Sequence, residues 1–591
     1  MDQRNDMIFE IFHNGIIKFV YIYQKFEVQE VTIKNSGATF TPPLLADFLA
    51  EKLISHLELP INYGISILDP ACGEGELLVS IANKVKSSGI QQVQIIGYDT
   101  NGEYLNIAKS NLCELKEISV DLKEQDFLDS EGASIEILDL FNQNKVSEFS
   151  DIIIANPPYV RTQILGAKKA QELAKRFNLT GRVDLYYPFL IAMTNVLKKD
   201  GLIGVITSNR YLFTKSGESI RKFLLDNYEI LEVIDLGDTK LFEAAVLPAI
   251  FIGRKKSGTK NINNPTFFAK IYEEPARNGI KKVINANSLF DVLKSNKSGY
   301  YLVGNKSYHY SVGLLKHPTK RTDIWQMTND EENKWIEIIK SNSFALIGDL
   351  FKVRIGVKSC ADNVFIKDDW NLESIKPEEK LFKKLISQEN IKRWQGGVEN
   401  DLHILYPYYS KDGKRCVYDL KDFPRAKEYF ETYREQLESR TYVIESGRSW
   451  YEIWVPQNPA SWALPKIVFP DISLDSRFYY DNEGSVVNGN CYWISAMNEK
   501  ENELLFLIQG VANSKLMTSY HDLCFNNKLY SGRRRYFSQY IEKYPIPDPN
   551  KSESKKIVEI VKKLNKVSSL NQEVGDLENE LNNFVDKAFG F

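Results

Sequence analysis

Two adjacent prolines, Pro157 and Pro158, lie one residue after the segment 151–155, whose sequence Asp-Ile-Ile-Ile-Ala is acidic and then apolar. A short apolar run of this kind is typical of a parallel strand that is buried on both faces of a sheet. Because proline has no amide hydrogen for a strand ladder, the strand must end here, and the chain that follows it is rigid. The run therefore predicts a buried strand that presents Asn156 and Tyr159 at the edge of a sheet.

This strand end has the groups needed to hold a planar ring that carries an amino group. The side-chain oxygen of Asn156 and the carbonyl oxygen of Pro157 can point the same way and accept the two amino hydrogens, while Tyr159 offers a flat face for stacking. Prolines after a strand also mark ordinary turns, so this tetrapeptide alone leaves a plain turn as an alternative.

A second strand end lies upstream. Residues 65–68, Ile-Ser-Ile-Leu, have the pattern of a buried strand, residues 69–75 form the turn Asp-Pro-Ala-Cys-Gly-Glu-Gly, and residues 76–82 have a helical pattern. A strand, a glycine turn and a helix in this order resemble a nucleotide-type pocket at the carboxyl end of a sheet. The turn is neither the phosphate fingerprint nor a Walker loop. Since Asp69 places an anion where a dinucleotide site would hold pyrophosphate, a ligand with a positive amino group, such as S-adenosylmethionine, fits better.

Two further acids follow in a suitable order. Residues 93–99 predict a second strand that ends in an acid, Asp99, and in doubly wound folds an acid at this position accepts hydrogen bonds from ribose hydroxyls. Asp126 and Phe127 come after another helical stretch, where the carboxylate could accept the cofactor's adenine amino group and the ring could cover its face. Each acid alone could be a helix cap or a solvated loop residue. The occurrence of Asp69, Asp99 and Asp126 in this order along the chain favours a cofactor site.

In this order, the segments resemble the amino-group DNA methyltransferases of the N6-adenine type, gamma class, which are related to the modification enzymes of restriction systems. That class has its cofactor motifs first, then Asn-Pro-Pro-Tyr, then a long target-recognition region. Residues 37–48, 180–189, 204–211 and 240–246 are also similar to the family. The resemblance is specific in the first half of the chain and loose in the second half.

The resemblance implies an α/β fold, a Rossmann-like doubly wound methyltransferase sheet followed by a mixed, β-rich target-recognition domain and a helical tail. It implies transfer of a methyl group from S-adenosylmethionine to adenine N6 of a flipped-out base in double-stranded DNA. The expected catalytic residues are Asn156, Pro157 and Tyr159, with Tyr159 and Phe242 stacking on the flipped base. The expected cofactor contacts are Thr39, Thr41, Asp69, Pro70, Ala71, Cys72, Gly73, Asp99, Asp126, Phe127, Asn156 and Pro158.

Two of these assignments carry a further expectation. Thr41 precedes Pro42 and Pro43, so it is expected to cap a helix that has these prolines in its first turn. The match around Phe242 is looser than the others, and Tyr211 or Phe213 is an alternative for the second stacking face.

The pattern along the chain predicts five regions. They are an N-terminal helical arm at 1–36, the S-adenosylmethionine-dependent domain at 37–262, a connecting region at 263–342, the target-recognition domain at 343–549 and a helical tail at 550–591. A chain of 591 residues is too long for one core and should form at least two domains.

The composition predicts the compartment. No apolar run reaches membrane-spanning length. The six cysteines contain no Cys-x-x-Cys pair, which argues against a disulfide framework and a zinc site, so no metal is expected. We expect a protein of a reducing bacterial or archaeal cytoplasm that associates with DNA and not with a membrane.

The net charge of −3 does not by itself predict nucleic-acid binding. A local stripe of cations can bind phosphates, although any single cluster is more often a solvated surface. The candidate DNA contacts are Lys392, Arg393, Arg448, Arg533, Arg534 and Arg535.

Other functions remain as alternatives. The Asn-Pro-Pro-Tyr motif also serves methyltransferases of RNA bases and of protein glutamine, but the several hundred residues after Phe242 favour DNA. A DNA-binding subunit with a relic cofactor fold would require a broken motif. The arm before Gly37 is too short for a fused nuclease, so a cognate restriction nuclease would be a separate chain. A single asymmetric chain predicts a monomer.

Overall fold

The structure is a computed structural model. It describes residues 40–58, 64–90, 92–115, 117–130, 148–159, 166–179, 184–241, 247–258, 265–274, 283–315, 320, 323–394, 402–525, 528–529, 532–567 and 572–591. The predicted N-terminal arm, Thr39 and Phe242 lie outside these residues. The chain divides into two compact units, with the division between Asn329 and Asp330.

One sheet organises the first unit. Its described strands lie side by side in the order β3-β2-β1-β4-β5-β7-β6-β8-β11-β10-β9. Their bounds are β1 Ile65–Asp69, β2 Val93–Asp99, β3 Ile118–Glu124, β4 Ser150–Ala155, β5 Leu197–Ser208, β6 Tyr228–Asp235, β7 Pro248–Lys255, β8 Thr266–Glu273, β9 Val283–Ala286, β10 Gly299–Val303 and β11 Lys306–Leu315.

The first five strands are parallel, and β7 runs antiparallel between β5 and β6. β1 lies between β2 and β4, where the strand order reverses. In open α/β sheets, ligands bind outside the carboxyl ends of the strands at such a reversal. The predicted doubly wound sheet is confirmed. It brings Asp69, Asp99 and Ala155, which end three neighbouring strands, to one edge.

Helices cover both faces of this sheet. Along β1 the side chains alternate, so that Leu68 joins the core on one face and Ile65 and Ile67 join the core on the other. The helices of the first unit are α1 Pro43–Ser55, α2 Glu76–Ser87, α3 Gly102–Cys113, α4 Ala167–Arg176, α5 Tyr186–Val196, α6 Arg210–Phe213, α7 Glu218–Asn227 and α8 Leu289–Lys294.

The turn between β1 and α2 requires its glycines. Gly73 and Gly75 both have left-handed backbone angles, with φ of 51° and 83°. A Cβ on Gly75 would lie 3.0 Å from the Cβ of Ala108 in α3. A residue with a side chain would therefore be strained in this turn and crowded against a neighbouring helix.

The sheet extends beyond the predicted end of the first domain. The polar stretch around residue 260 leads into β8, which pairs parallel with β6, and β8 to β11 continue the sheet as far as Leu315. The segment 263–342, predicted as a connecting region, thus contributes four strands to the first unit. Strand pairing across the sheet outweighs the local polar composition that suggested a boundary.

The second unit has short strands, as its aromatic, irregular sequence predicts. Its described strands are β12 Ser343–Leu346, β13 Arg354–Ile355, β14 Ile366–Lys367, β15 Phe382–Ile386, β16 His403–Leu405, β17 Tyr408–Lys411, β18 Lys414–Val417, β19 Lys466–Pro470, β20 Ile472–Ser473, β21 Tyr479–Asp481, β22 Val486–Val487, β23 Cys491–Ser495, β24 Arg534–Arg535 and β25 Pro545–Pro547. Val364 and Phe365 lie in a helical turn and pack in the core.

Helices complete the second unit. They are α9 Asp330–Ser341, α10 Ile347–Leu350, α11 Asp362–Phe365, α12 Pro424–Thr432, α13 Arg434–Glu438, α14 Thr441–Glu445, α15 Glu499–Asn513, α16 Lys515–Phe525, α17 Ser538–Ile541, α18 Ser552–Leu564 and α19 Gln572–Ala588. The predicted helical tail is confirmed as α18 and α19. A Cβ on Gly510 of α15 would lie 2.7 Å from Ile557 and 2.8 Å from Val561, so the tail packs closely on its own unit. Within the described part of the chain, no helix combines the length and apolarity that a membrane crossing requires.

Candidate active site

A cavity of about 1270 Å³ opens at the carboxyl edge of β1, β2 and β4. Of the twelve predicted cofactor contacts, Thr39 lies outside the described residues and the other eleven line this cavity. Those eleven are Thr41, Asp69, Pro70, Ala71, Cys72, Gly73, Asp99, Asp126, Phe127, Asn156 and Pro158. Segments that are far apart in the chain thus meet where the strand order reverses.

Asp69 places an unsatisfied carboxylate oxygen at this cavity. The residue is 1% exposed, and its Oδ1 accepts a hydrogen bond of 3.0 Å from the amide of Ala71. Its Oδ2 has no hydrogen-bond partner among the described residues. Desolvation raises the pKa of Asp69 to about 8, against the Ala71 hydrogen bond that lowers it, and the charge of Asp99 raises it further. A cationic group beside Oδ2 would satisfy this oxygen and stabilise the ionised carboxylate.

Asp99 holds the glycine turn in place. Its Oδ2 accepts from the amide of Gly73 and its Oδ1 accepts from the amide of Asn101, each at 2.9 Å. The carboxylate therefore bridges the loop after β1 and the start of α3. Each of its oxygens can accept a further hydrogen bond, so this bridge is compatible with a hydroxyl ligand in the cavity.

Asp126 and Phe127 form an adjoining wall of the cavity. The carboxylate of Asp126 accepts from the amide of Leu128 at 3.0 Å and so caps the short helical turn of residues 127–129. The Phe127 ring is 1% exposed and meets Tyr98 edge-on, with ring centroids 5.2 Å apart. Phe127 is thereby held by the core while it still lines the cavity.

Asn156 lies between two hydroxyl groups at the edge of β4. It is 9% exposed, its Nδ2 donates to Thr41 Oγ1 at 2.9 Å, and its Oδ1 accepts from the hydroxyl of Tyr159 at 2.5 Å. Burial raises the pKa of Tyr159, so its phenol stays protonated and able to donate at neutral pH. The predicted catalytic Asn156 and Tyr159 are therefore in direct contact, and Pro157 between them is buried.

The expectation that Thr41 caps a helix is wrong. Pro42 is the N-cap of α1, no side chain caps this helix, and the Pro42 carbonyl accepts from the amides of Leu45 and Ala46. The Thr41 hydroxyl faces Asn156 instead, a partner 115 residues away in the sequence. Tertiary packing outweighs the local capping preference at this position.

Sequence analysis did not single out several aromatic and polar residues of the cavity. The rings of Phe40 and Tyr104 meet edge-on at 5.2 Å, and Phe40 is 41% exposed. Phe40 lies in the family-like segment 37–48, between Thr39 and Thr41, which were both predicted as cofactor contacts. This position was the available signal. Leu185 and Phe189 also line the cavity and lie in the family-like segment 180–189, whereas the lining residues Asn101, Lys168, Lys169 and Leu173 had no such signal.

Tyr211 and Phe213, the alternatives for the second stacking face, lie in the hydrophobic core. They are 0% and 4% exposed, and neither lines the cavity. Tyr211 meets Trp325 edge-on with ring centroids 5.8 Å apart. Neither ring is placed to stack on a ligand.

In the second unit, Arg534 forms an ion pair with a largely buried acid, Asp522, whose side chain is 11% exposed. Its guanidinium donates to both carboxylate oxygens of Asp522 at 2.6 and 2.8 Å, and also to the carbonyl of Leu474. Burial alone would raise the pKa of Asp522, but Lys528 and Arg534 outweigh it and lower that pKa to about 2. This geometry favours a structural role for Arg534 over the predicted contact with DNA.

The other predicted DNA contacts differ in the interactions that they make within the protein. Arg393 donates to Glu578 and to the Ser476 carbonyl at 3.1 Å each, and Arg448 donates to the carbonyls of Ile453 and Trp454. Arg535 lies 3.8 Å from a carboxylate oxygen of Asp471 and has its guanidinium 4.9 Å from the centre of the Phe537 ring. Lys392 and Arg533 are exposed.

Two family models match this chain. Residues 93–242 match the Eco57I restriction-modification methylase, and residues 383–546 match the TaqI-like C-terminal specificity domain. The first match runs from β2 through Asn156, and the second lies wholly within the second unit.

Bacterial type II methyltransferases align over most of the chain. The type II methyltransferase M.BanIII of Aneurinibacillus aneurinilyticus is 45% identical over 577 residues, which cover 95% of this chain and 99% of the relative. The type II methyltransferase M.BstVI of Geobacillus stearothermophilus is 25% identical over 553 residues, which cover 88% of this chain and 92% of the relative.

A solved structure shares the fold. The type IIL restriction-modification enzyme MmeI, solved in complex with DNA, superposes with a TM-score of 0.57 at 14% sequence identity. The match covers 98% of this chain and 75% of MmeI. At this identity the similarity establishes the fold alone.

We predict that Arg534→Ala lowers the free energy of unfolding of the second unit by roughly 3 kcal/mol, because it leaves the Asp522 carboxylate buried without its bidentate partner. Seven of the eight tryptophans follow residue 330, so tryptophan fluorescence during denaturation reports mainly on this unit. The matched control is Arg533→Ala, which removes the neighbouring, exposed arginine and should leave the transition unchanged.

The same pair has a defined pH dependence. The pKa of Asp522 is about 2 in the folded chain, below its unfolded value of about 3.9. Its contribution to stability is therefore present above about pH 4 and is lost as the pH falls towards 2. In Arg534→Ala, the free energy of unfolding should fall less steeply between about pH 4 and pH 2. Equal stability of the two arginine variants at neutral pH would exclude the structural role.

Proposed function

Because this chain belongs to the type II DNA methyltransferases of restriction-modification systems, which use S-adenosylmethionine, we propose that it methylates adenine N6 at a specific sequence in double-stranded DNA. The observation that carries this proposal is one cavity that presents Asp69 at one strand end and Asn156 at another. The first suits a cationic cofactor, and the second suits an amino-bearing base.

The described residues fit S-adenosylmethionine. The cavity of about 1270 Å³ is large enough for a cofactor of this size. The unsatisfied Oδ2 of Asp69 can accept from the cofactor's ammonium group, Asp99 can accept from ribose hydroxyls, and Phe127 can cover the adenine ring. When bound, S-adenosylmethionine supplies a methyl group on a positively charged sulfur, which is a strong electrophile.

Asn156 prepares the amino group of the target base for methylation. Its Oδ1 and the carbonyl oxygen of Pro157 accept the two N6 hydrogens, which draws the nitrogen lone pair out of conjugation with the ring. The nitrogen gains the methyl group and gives up one proton to water. Alignment of the two reactants, rather than a strong base, is the main requirement of this step.

Tyr159 supports the base outside the duplex. Extrusion of a base costs a few kcal/mol, and stacking on an aromatic ring contributes about 1–3 kcal/mol per base. Tyr159 is adjacent to Asn156, so it can stack on one face of a base whose amino group Asn156 holds. We assign the second face to Phe242, which lies outside the described residues.

The second unit would select the DNA sequence. It contains the match to a TaqI-like specificity domain at residues 383–546. We place sequence recognition in residues 343–549 and catalysis in the unit that carries the cavity. The proposed partners are duplex DNA and a separate cognate restriction nuclease, and we propose that the methyltransferase acts as a monomer.

Methylation mapping tests this function directly. The purified chain is incubated with unmethylated genomic DNA and S-adenosylmethionine, and the DNA is sequenced for modified bases. N6-methyladenine in one short sequence context is the expected result. Methylated cytosine would overturn the choice of base. Methyl transfer to RNA or to protein glutamine, with unmodified DNA, would overturn the choice of acceptor.

We predict that cofactor binding releases up to one proton at pH 7, because Asp69, with a pKa of about 8, is mostly protonated before a cation binds beside it. Cofactor affinity should therefore fall by about tenfold per pH unit below pH 8. Calorimetry in buffers of different ionisation enthalpy measures the protons released.

Asp69→Asn is the control for this titration. The variant retains the shape of the side chain but cannot ionise, so any remaining pH dependence belongs to the cofactor's own amino group. Identical proton release by the two proteins would show that Asp69 does not hold the cation.

We predict that Asn156→Ala abolishes methylation and leaves cofactor affinity nearly unchanged, since the lost amide acts on the base. Asp99→Ala should have the converse effect and weaken cofactor binding, because it removes a proposed ribose acceptor. Calorimetric titration with S-adenosylmethionine and a methylation assay separate the two roles. A parallel loss of binding and activity in Asn156→Ala would contradict this division.

We predict that Arg533→Ala removes one contact between the protein and a DNA phosphate. The slope of log affinity against log salt concentration should then become shallower by about 0.9. Arg434→Ala is the matched control, since this exposed arginine is already paired with Glu431 and Glu438. Equal slopes for Arg533→Ala and the unmodified protein would show that Arg533 is a solvated surface residue that does not contact DNA.

A further inference from the structure

We infer that Thr41 is a positioning residue for catalysis, whose hydroxyl binds the side-chain nitrogen of Asn156 and so restrains the rotation of this amide beside the target base. This inference deepens the proposed function and rests on it. Sequence analysis predicted Thr41 as a cofactor contact and a helix cap, whereas the structure places its Oγ1 2.9 Å from Asn156 Nδ2.

The orientation of this amide decides whether the site can act. The oxygen and nitrogen ends of an asparagine side chain have nearly the same shape, but the oxygen only accepts hydrogen bonds and the nitrogen only donates them. With the nitrogen towards the base, two donor groups would face each other, and the amino lone pair would not be released from the ring. A rotation of 180° about the last side-chain bond is thus enough to inactivate Asn156.

Thr41 and Tyr159 contact opposite ends of the Asn156 side-chain amide. The nitrogen donates to Thr41, and the oxygen accepts from the Tyr159 hydroxyl at 2.5 Å. The oxygen therefore lies on the side of Tyr159, the residue proposed to stack on the base. A carbonyl oxygen can accept more than one hydrogen bond, so the contact with Tyr159 does not by itself prevent Oδ1 from accepting an amino hydrogen of the base.

The backbone around Thr41 makes its hydroxyl a fixed partner. Thr41 precedes two prolines, which restrict the chain, and the second of these begins α1. Helix α1 is anchored by Leu45, Leu49 and Leu53, which are fully buried in the core. Because Asn156 is 9% exposed, a fixed protein hydroxyl rather than bulk water determines the environment of its nitrogen.

Replacement of the hydroxyl by a methyl group tests this role. Thr41→Val retains the shape of the side chain but cannot hydrogen-bond, so we expect kcat at saturating cofactor and DNA to fall by about tenfold, the effect of one hydrogen bond of about 1.4 kcal/mol. Thr41→Ser restores the hydroxyl and should recover most of kcat. A purely structural role would not produce this recovery together with equal melting temperatures of the two variants.

Thr207→Val is the matched control for loss of a buried threonine hydroxyl. Thr207 is 0% exposed, donates to the carbonyl of Ala249 and does not line the cavity. Its replacement should lower stability without a specific loss of kcat. A loss of kcat equal to that of Thr41→Val would assign the effect to general destabilisation and overturn the inference.

A double-mutant cycle with Tyr159→Phe tests whether the two hydroxyls act on one amide. Tyr159→Phe removes the hydroxyl and keeps the stacking ring. Because both hydroxyls fix the same group, the loss of kcat in the double variant should be smaller than the product of the two single losses. Independent, multiplicative losses would show that Thr41 does not act through Asn156.

The remaining outcomes separate this inference from the proposed function. If Thr41→Val raises only the KM for S-adenosylmethionine and kcat is unchanged, Thr41 is a cofactor contact and not a positioning residue. If the unmodified protein methylates RNA or protein glutamine instead of DNA, the proposed function fails, while the Thr41 test can still be made on that acceptor.

Discussion

Burial of the parallel strands on both faces is the constraint on which the rest of this structure depends. Strand β1 is buried along its length because each face of the sheet packs against a separate core, and its charged residue, Asp69, stands at its end. Asp69 and Asp99 end two of these strands, and Asn156 directly follows a third. The reversal of strand order beside β1 then gathers them around one cavity.

The same sheet edge separates two kinds of chemistry. Asp69, with an unsatisfied oxygen and a raised pKa, suits a cation, whereas Asn156, neutral and held by two hydroxyls, suits an amino group. A neutral amide is appropriate beside a positively charged methyl donor, because a second carboxylate there would itself attract the cation. Thr41 then restrains the rotation of an amide whose two ends differ, which a symmetric carboxylate would not need.

The charged residues of the second unit show why a cluster of cations in the sequence does not by itself predict DNA contacts. Arg533 and Arg534 are adjacent in one basic run, yet the first is exposed and the second is engaged by Asp522 and a backbone carbonyl. A cluster of cations in the sequence therefore does not show which of them can reach a phosphate. The partners available in the folded chain decide this.

Local sequence alone determined the first strands of the sheet and the glycine turn, and the sequence predicted eleven of the residues that line the cavity. Apolar runs, prolines and left-handed glycines act over a few neighbouring residues, so the positions of Asp69, Asp99 and Asn156 at strand ends were predictable. Tertiary structure alone decided the strands added after residue 265, the burial of Tyr211 and the pairing of Arg534 with Asp522. It also decided the contact of Thr41 with Asn156, because it depends on packing between segments 115 residues apart, which no local preference records.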